Sequence, residues 1–374
     1  MSETADVVVV GAGIVGAACA EALSGEGLRV AIVESEVVGG GATAAGMGHI
    51  VVMDEPEADY ALTRYSRDLW DEFEPLLPPE VEFCRCGTLW VAADEEEMLI
   101  ARRKAASYTR LGVRAELLDP VALHEAEPNL RPLAGGLLVP DDSIIYPPCA
   151  ARWFVERAIS RSALLHVGAR VIELRDGEVL LASGGRISAG VTVCANGTWA
   201  SSLVPSLDVR PRKGHLAITD RYPGFARHEV VELGYLKSVH IPAAESVACN
   251  VLPRPNGQVL IGSSRQFGVT DARIDAPVLE RMLRRAVEYF PGLARLNVIR
   301  TWTGFRAATS DRLPLIGRCP GYDKLYLATG HEGLGITTAT GTARLIADLI
   351  LGREPAIPAG PYAPSRPTME TPHA

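Results

Sequence analysis

The chain has 374 residues, of which 47% are hydrophobic and 22% charged, and its formal net charge is −8 at pH 7. A chain of that length has room for about two domains and a large core. The acidic balance excludes a basic nucleic-acid surface, and an anionic ligand would have to be held by local cations against the average field.

The amino-terminal residues 1–6 lack the positive region that opens a signal peptide. No stretch approaches the ~18 apolar residues of a membrane span. A cytoplasmic protein without an integral membrane segment is expected. The first strong pattern follows at once. Val7-Val8-Val9-Val10 reads as a parallel strand buried on both faces. It leads into Gly11-Ala12-Gly13-Ile14-Val15-Gly16, a G-x-G-x-x-G turn. There Gly11 permits the tight turn, Gly13 lets backbone approach a pyrophosphate, and Gly16 lets helix lie against strand. The helix runs to about Gly25. Residues 28–33 form the second strand, and Glu34 stands at its end, where a carboxylate accepts a ribose 2′-hydroxyl and repels a 2′-phosphate. This unit predicts an adenine dinucleotide, FAD or NAD rather than NADP.

Small residues crowd positions 39–48, placing Thr43, Ala44, Ala45, Gly46 and Met47 where backbone N–H groups can wrap the rest of a dinucleotide. Helices are predicted over residues 58–77 and 95–111, with paired strands joined at Gly87 over residues 81–93. Cys84 and Cys86 alternate there, placing both thiols on one face. Of the seven cysteines none forms a C-x-x-C, which leaves no zinc ribbon, cluster run or disulfide framework, so no metal is expected. A helix over residues 148–161 is followed by a hairpin turning at Asp176-Gly177 and by a buried strand entering Asn196-Gly197. Strands and turns fill residues 211–272, with Arg254-Pro255-Asn256-Gly257 as the clearest hairpin. An amphipathic helix covers residues 277–289. Residues 325–330 read as a strand into the turn Gly333-Leu334-Gly335, with a helix over residues 338–351. The proline-rich residues 355–372 read as an extended, poorly ordered tail. No second complete G-x-G-x-x-G appears, which points to reduction by the substrate itself.

Five stretches together resemble the D-amino-acid oxidase superfamily, in its glycine oxidase, sarcosine oxidase and D-amino-acid dehydrogenase branch. They are the first fingerprint with Glu34; residues 42–47; Gly168-Ala169-Arg170-Val171 with residues 194–200; Trp302-Thr303-Gly304-Phe305-Arg306 through Gly317; and residues 328–336. The last, Gly330-His331-Glu332-Gly333-Leu334-Gly335, is most similar to flavin subunits of heteromeric dehydrogenases for D-hydroxyproline, opines and glycine. The resemblance implies an α/β fold, in which a doubly wound, Rossmann-like FAD domain (residues 1–80, 146–210 and 301–361) interleaves with an α+β substrate domain (81–145 and 211–300). The latter would hold a large antiparallel sheet, and residues 362–374 would form a disordered tail.

It further implies FAD, with Glu34 and Ser35 at the ribose, residues 11–16 and 43–47 along pyrophosphate and flavin, and Val171 at the adenine. Ala195, Asn196, Gly197, Trp199 and Gly304 would complete the cofactor site. Gly330, Gly333, Leu334, Gly335, Ile336 and Thr337 would meet the pyrimidine end of the isoalloxazine, where helix-terminal N–H groups stabilise negative charge. Where sarcosine oxidases attach flavin through a cysteine, this chain has Gly304-Phe305-Arg306-Ala307, so the cofactor is expected to be non-covalent. Arg306 would clamp the substrate carboxylate bidentately. Asn250, standing where glycine oxidases have a tyrosine, or Tyr235 would assist. His331 would face the flavin or serve structurally. The implied reaction is oxidation of the CH–NH bond of a small D-amino or cyclic imino acid, such as 4-hydroxy-D-proline, by hydride transfer to flavin N5. The alternatives are a glycine- or sarcosine-type oxidase releasing peroxide, and an FAD-bearing subunit active only with electron-acceptor or iron–sulfur partner subunits.

Overall fold

The computed structural model describes residues 3–234 and 245–367. Two eight-stranded sheets organise it. In the first, the β-branched strand Glu3–Val10 lies at the centre, parallel to Val30–Glu34 on one side and Arg186–Cys194 on the other. Leu164–Val167 and Leu325–Thr329 extend it in parallel, and Leu315–Arg318 closes one edge antiparallel. Alternate residues of the central strand enter different cores. Val7 and Val9 pack among the helices Ile14–Gly25, Pro147–Ser160 and Gly335–Leu351. Val8 and Val10 pack beneath the hairpin Val171–Arg175/Glu178–Leu181. Burial on both faces is why this strand is an unbroken valine run.

The second sheet runs in the order Val298–Ala308, Arg210–Arg221, Gln258–Phe267, Glu245–Pro253, Glu229–Glu232, Thr88–Ala92, Gly135–Val139 and Glu116–Leu118. All its pairs are antiparallel except Glu229–Glu232 with Thr88–Ala92. Helix Ala276–Tyr289, capped by Asp275 Oδ1 accepting from Val278 N–H, covers one face through Val278, Met282, Ala286 and Tyr289. The opposite face turns toward the nucleotide half. The doubly wound sheet interleaved with a large antiparallel sheet is thus the predicted architecture. Among the described residues, no helix is long and apolar enough to cross a membrane.

Four local expectations need correction. Residues 81–87 form no hairpin arm: a 3-10 turn at Pro79–Val81 is followed by a single bridge from Cys84 to Ile144, and only Thr88–Ala92 is a strand. A boundary at residue 301 would cut the strand Val298–Ala308, which pairs along its whole length with Arg210–Arg221 and so belongs to the antiparallel sheet. The last helix begins at Gly335, earlier than residue 338, because small residues leave its first turn free to pack. The tail is anchored through residue 367. Tyr362 is buried and donates its hydroxyl to Ala58 O at 2.6 Å, and Arg366 clamps Asp311 at 2.7 and 2.8 Å. Residues 368–374 lie outside the described residues.

Candidate active site

Residues of the first βαβ unit hold one another before any ligand is considered. Gly11 adopts φ +101°, and a Cβ there would sit 2.8 Å from the Ala195 carbonyl oxygen. The Glu34 carboxylate accepts from Ala12 N–H at 2.8 Å and from Glu36 N–H at 2.8 Å, with Ser35 Oγ donating at 3.3 Å. Glu34 therefore shapes the glycine turn as well as standing at its mouth, and a carboxylate's remaining lone pairs leave capacity for a hydroxyl. Thr43 Oγ1 accepts from Ile14 N–H at 2.9 Å, tying the small-residue turn to the first turn of the helix. Ala169 N–H donates to Glu34 O at 2.9 Å, which brings Val171 alongside that strand end. Ala195 N–H donates to Val10 O, and Gly197 O accepts from Thr329 Oγ1. Two helices start here with neither a side-chain cap nor an acidic first turn, at Gly13 and at Leu334. Ile14 N–H is taken by Thr43 Oγ1, and the other first-turn N–H groups of the two helices suit anionic groups.

Elements of the two sheets meet at Gly304. A Cβ there would lie 2.2 Å from Ala45 Cβ, so only glycine lets the antiparallel strand rest on the nucleotide turn. Similarly, Gly46 lies against Ile336, the second residue of the last helix. Strand alternation places Trp302, Gly304 and Arg306 on the same face, opposite Leu216, Gly214 and Arg212 of the neighbouring strand. Gly262, whose Cβ would meet Met47 Sδ and Leu216, is in register with Asn250. Ala45, Met47, Asn250, Trp302 and Arg306 thus converge on one face. The Asn250 Oδ1 and Trp302 Nε1 atoms are buried without a hydrogen-bond partner among the described residues, leaving an acceptor and a donor for a ligand.

Arg306 lies over Gly214, where a Cβ would come within 2.5 Å of its Nη1, and it donates from that nitrogen to Ser264 O at 3.1 Å. Its neighbours are unusual. Arg212, its cross-strand partner, stacks on Phe267 at 3.9 Å and donates to Glu332 Oε1 at 2.6 Å. Glu332 sits at φ +48°, bonds to Ala307 O through its N–H, and accepts from Gly333 N–H at 2.6 Å. Burial alone would raise its carboxyl, but the charges of Arg265, Arg306 and Arg212 outweigh this and draw it down to about 2. Arg265 is driven to about 10 by burial, against the pull of Glu332 and with the repulsion of Arg306 and Arg212.

Two expected site residues do not join this face. His331 turns inward, its Nε2 lying 3.0 Å from Thr342 Oγ1 in the last helix, and burial pushes it down to about 3. It is a neutral structural histidine. Trp199 is 56% exposed and meets Phe305 edge-on at 6.3 Å, behind the strand from Arg306. Thr337 spends its hydroxyl on His49 O and Val51 N–H, leaving only its backbone for a ligand. Tyr235 lies outside the described residues. Sequence reasoning missed Trp302, Arg212, Arg265 and Glu332, although the alternation Trp302, Gly304, Arg306 was available as a signal.

This arrangement fits FAD. The Gly13 and Leu334 helix starts, the Thr43-held turn and the Glu34 carboxylate would hold pyrophosphate, isoalloxazine and ribose. The comparisons agree. The family described as "FAD dependent oxidoreductase" (DAO) matches residues 6–349. A glycine oxidase of Pseudomonas aeruginosa is 30% identical, with 96% of this chain and 98% of that one covered. The hydrogen cyanide synthase subunit HcnC of the same organism is 28% identical, covering 94% and 93%. The crystal structure of glycine oxidase from Geobacillus kaustophilus superposes with a TM-score of 0.89 at 27% identity, covering 98% and 100%. A match over nearly the whole chain, with the nucleotide cradle intact, makes this chain a member of the DAO family of FAD-dependent oxidoreductases.

Proposed function

We propose that the chain oxidises the CH–NH bond of a small D-amino or cyclic imino acid to the imine, with 4-hydroxy-D-proline as the ring-bearing member to test first. One observation carries this reading. Arg306 shares a sheet face with Gly304, and Gly304 rests directly on Ala45 of the nucleotide turn. A carboxylate held by Arg306 would therefore lie beside the cofactor. Bound FAD supplies a two-electron acceptor for the hydride leaving the substrate Cα. The protein's contribution is positioning. Arg306 has five N–H donors, one of them engaged by Ser264 O, and can present a planar fork to the carboxylate. Asn250 Oδ1 can accept from the substrate amine, and Trp302 Nε1 can donate. The apolar side chains of Met47 and Leu216 exclude water, which favours the neutral amine needed for oxidation. Replacement of a tyrosine-sized ligand by Asn250 leaves room for a ring.

Glycine oxidases among the relatives support a second reading, an oxidase that releases peroxide. A relative named as a subunit of hydrogen cyanide synthase supports a requirement for partner subunits. Anaerobic mixing with 4-hydroxy-D-proline, D-proline, sarcosine and glycine, followed by oxygenated buffer, tests all three. Bleaching by the cyclic acids with slow reoxidation is expected. Bleaching by glycine alone with stoichiometric peroxide would favour the oxidase, and reoxidation only with added partner subunits would favour the complex.

A further inference from the structure

Oxidation of the CH–NH bond requires an uncharged amine, so a substrate that arrives as an ammonium must give up a proton. Arg306, Asn250 and Trp302 cannot take it: the guanidinium stays protonated, the amide is no base, and the indole only donates. A base stands on the same sheet face. Glu229 lies two residues before Val231, and Val231 is in register with Asn250, so Glu229 and Asn250 share that face. The Glu229 carboxylate is buried. Its Oε1 pairs with His49 Nδ1, and its Oε2 has no partner among the described residues. His49 follows two residues after Met47, which lies against Gly262 opposite Asn250. The carbonyl of His49 accepts from Thr337 Oγ1 at 2.9 Å, in the first turn of the last helix. Its strand partner Ile144 belongs to the apolar cluster of Met47 and Leu216 against which Trp302 packs. The His49 side chain is 20% exposed and that of Glu229 2%, so the accessible edge of the ring is the one bearing Nε2. A carboxylate at Nδ1 accepts its N–H and leaves Nε2 with the lone pair.

Titratable and charged groups face this pair from each segment packed on it. Asp142, just before the strand Ser143–Ile144, is pushed by burial to about 7, with Glu229 reinforcing and Arg67 opposing. Arg67, from helix Glu57–Phe73, stands 3.6 Å from Asp142. The mutual hydrogen bond of Cys84 and Cys86 draws Cys84 to about 7, and together with burial and the Glu229 charge it pushes Cys86 up. The last helix contributes the Thr337 hydroxyl. Arg67 answers Asp142, which leaves Glu229 to balance an imidazolium.

We propose that His49, backed by Glu229, is the proton acceptor of the reaction. This rests on the CH–NH reading. The substrate ammonium passes one N–H proton to His49 Nε2, and the freed lone pair forms the C=N bond as the Cα–H bond breaks. The hydride carries its two electrons to the bound FAD, the product leaves as the protonated imine, and His49 returns its proton to solvent. Glu229 orients the ring, sets its tautomer and balances its charge.

Anaerobic flavin reduction from about pH 5.5 to about pH 10 tests this, with whichever of 4-hydroxy-D-proline, D-proline, sarcosine and glycine bleaches the flavin fastest. His49→Gln keeps an amide beside Glu229 but has no base. It is expected to reduce flavin at least about a hundredfold more slowly at about pH 7, and to recover to within about threefold of wild type near pH 10, where the amine ionises unaided. Glu229→Gln, whose amide can move the ring proton to Nε2, is expected to lose rate at about pH 7 while the ring remains. Nitrogen NMR of isotopically labelled histidine reads the proton without turnover. At about pH 8.5 the signal that His49→Gln removes should change from a neutral to a doubly protonated ring when the FAD-loaded protein binds 2-methyl-D-proline, which has no Cα hydrogen. Cyclopentanecarboxylate, which has no amine, should leave it unchanged. A His49→Gln protein with the wild-type rate and acid limb would give that limb to Asp142 or Cys84 and overturn the assignment, as would a ring in the same state with and without bound 2-methyl-D-proline. Flavin that none of the four acids reduces would refute the CH–NH reading instead, and the imidazole signal still decides whether His49 takes a proton from a bound amine.

Discussion

Replacing Arg306 is the most direct test of the proposed chemistry. In Arg306→Ala the guanidinium above Gly214 disappears, along with its hydrogen bond to Ser264 O. A charge-assisted hydrogen bond contributes about 1.5–3 kcal/mol, so losing a two-bond clamp removes about 3–6 kcal/mol. At 1.36 kcal/mol per tenfold, kcat/KM should fall by about two to four orders of magnitude. Arg306→Lys keeps a charge but not the fork, and should recover only part of the loss. The fold should survive, because Glu332 keeps its bond to Arg212, and FAD content should stay at the wild-type ratio, because the hydrogen bond Arg306 makes lies within the antiparallel sheet. The assay is anaerobic stopped-flow flavin reduction over a range of substrate concentrations, with the flavin-to-protein ratio measured on the same sample. An Arg306→Ala protein with full flavin and kcat/KM within about threefold of wild type would remove Arg306 from the substrate site.

Gly304→Ala would force a Cβ to 2.2 Å from Ala45 Cβ; overpacking of that kind costs about 1–3 kcal/mol, so both Tm and FAD retention should drop, and unchanged values would contradict the close strand-to-turn contact. His331 has its folded pKa depressed from 6.5 to about 3 by burial, so the unfolded chain binds the proton first. Its contribution is therefore complete above pH 6.5 and is lost as pH falls toward 3, at up to about 1.4 kcal/mol per pH unit. Denaturant midpoints of His331→Gln should accordingly vary less with pH over the acid range than those of wild type, and parallel curves would count against a buried neutral imidazole. Acid precipitation should release all flavin into the supernatant, since the strand beside Arg306 offers no cysteine; colour retained in the pellet would establish a covalent link. Arg366→Ala leaves the half-buried Asp311 without its bidentate partner and should cost about 3 kcal/mol in urea unfolding, whereas a negligible change would return residues 362–367 to the status of a loose tail.

Local pattern was enough wherever one segment carries its whole meaning. The valine run 7–10, the turn at Gly11 and the acid at Glu34 lie within one βαβ unit, and their burial and φ angles follow from short-range sterics. The Asp176-Gly177 and Asn256-Gly257 hairpins are equally local. By itself, then, the sequence determined the nucleotide cradle and the interleaved α/β plan, and through resemblance it singled out Arg306 as the anchor to test. Cross-strand register was a different matter. Arg212, Arg265, Arg306 and Glu332 are far apart in the chain, and only pairing across the antiparallel sheet, closed by the Glu332 turn, makes them one charged group. The direction of His331 and the docking of Tyr362 and Arg366 were likewise decided by packing, because a histidine in a glycine-rich turn or a proline-rich tail has no periodicity that says which face it will bury. Tertiary structure alone decided these, since a side chain's charge balance and burial depend on neighbours brought in from elsewhere in the chain.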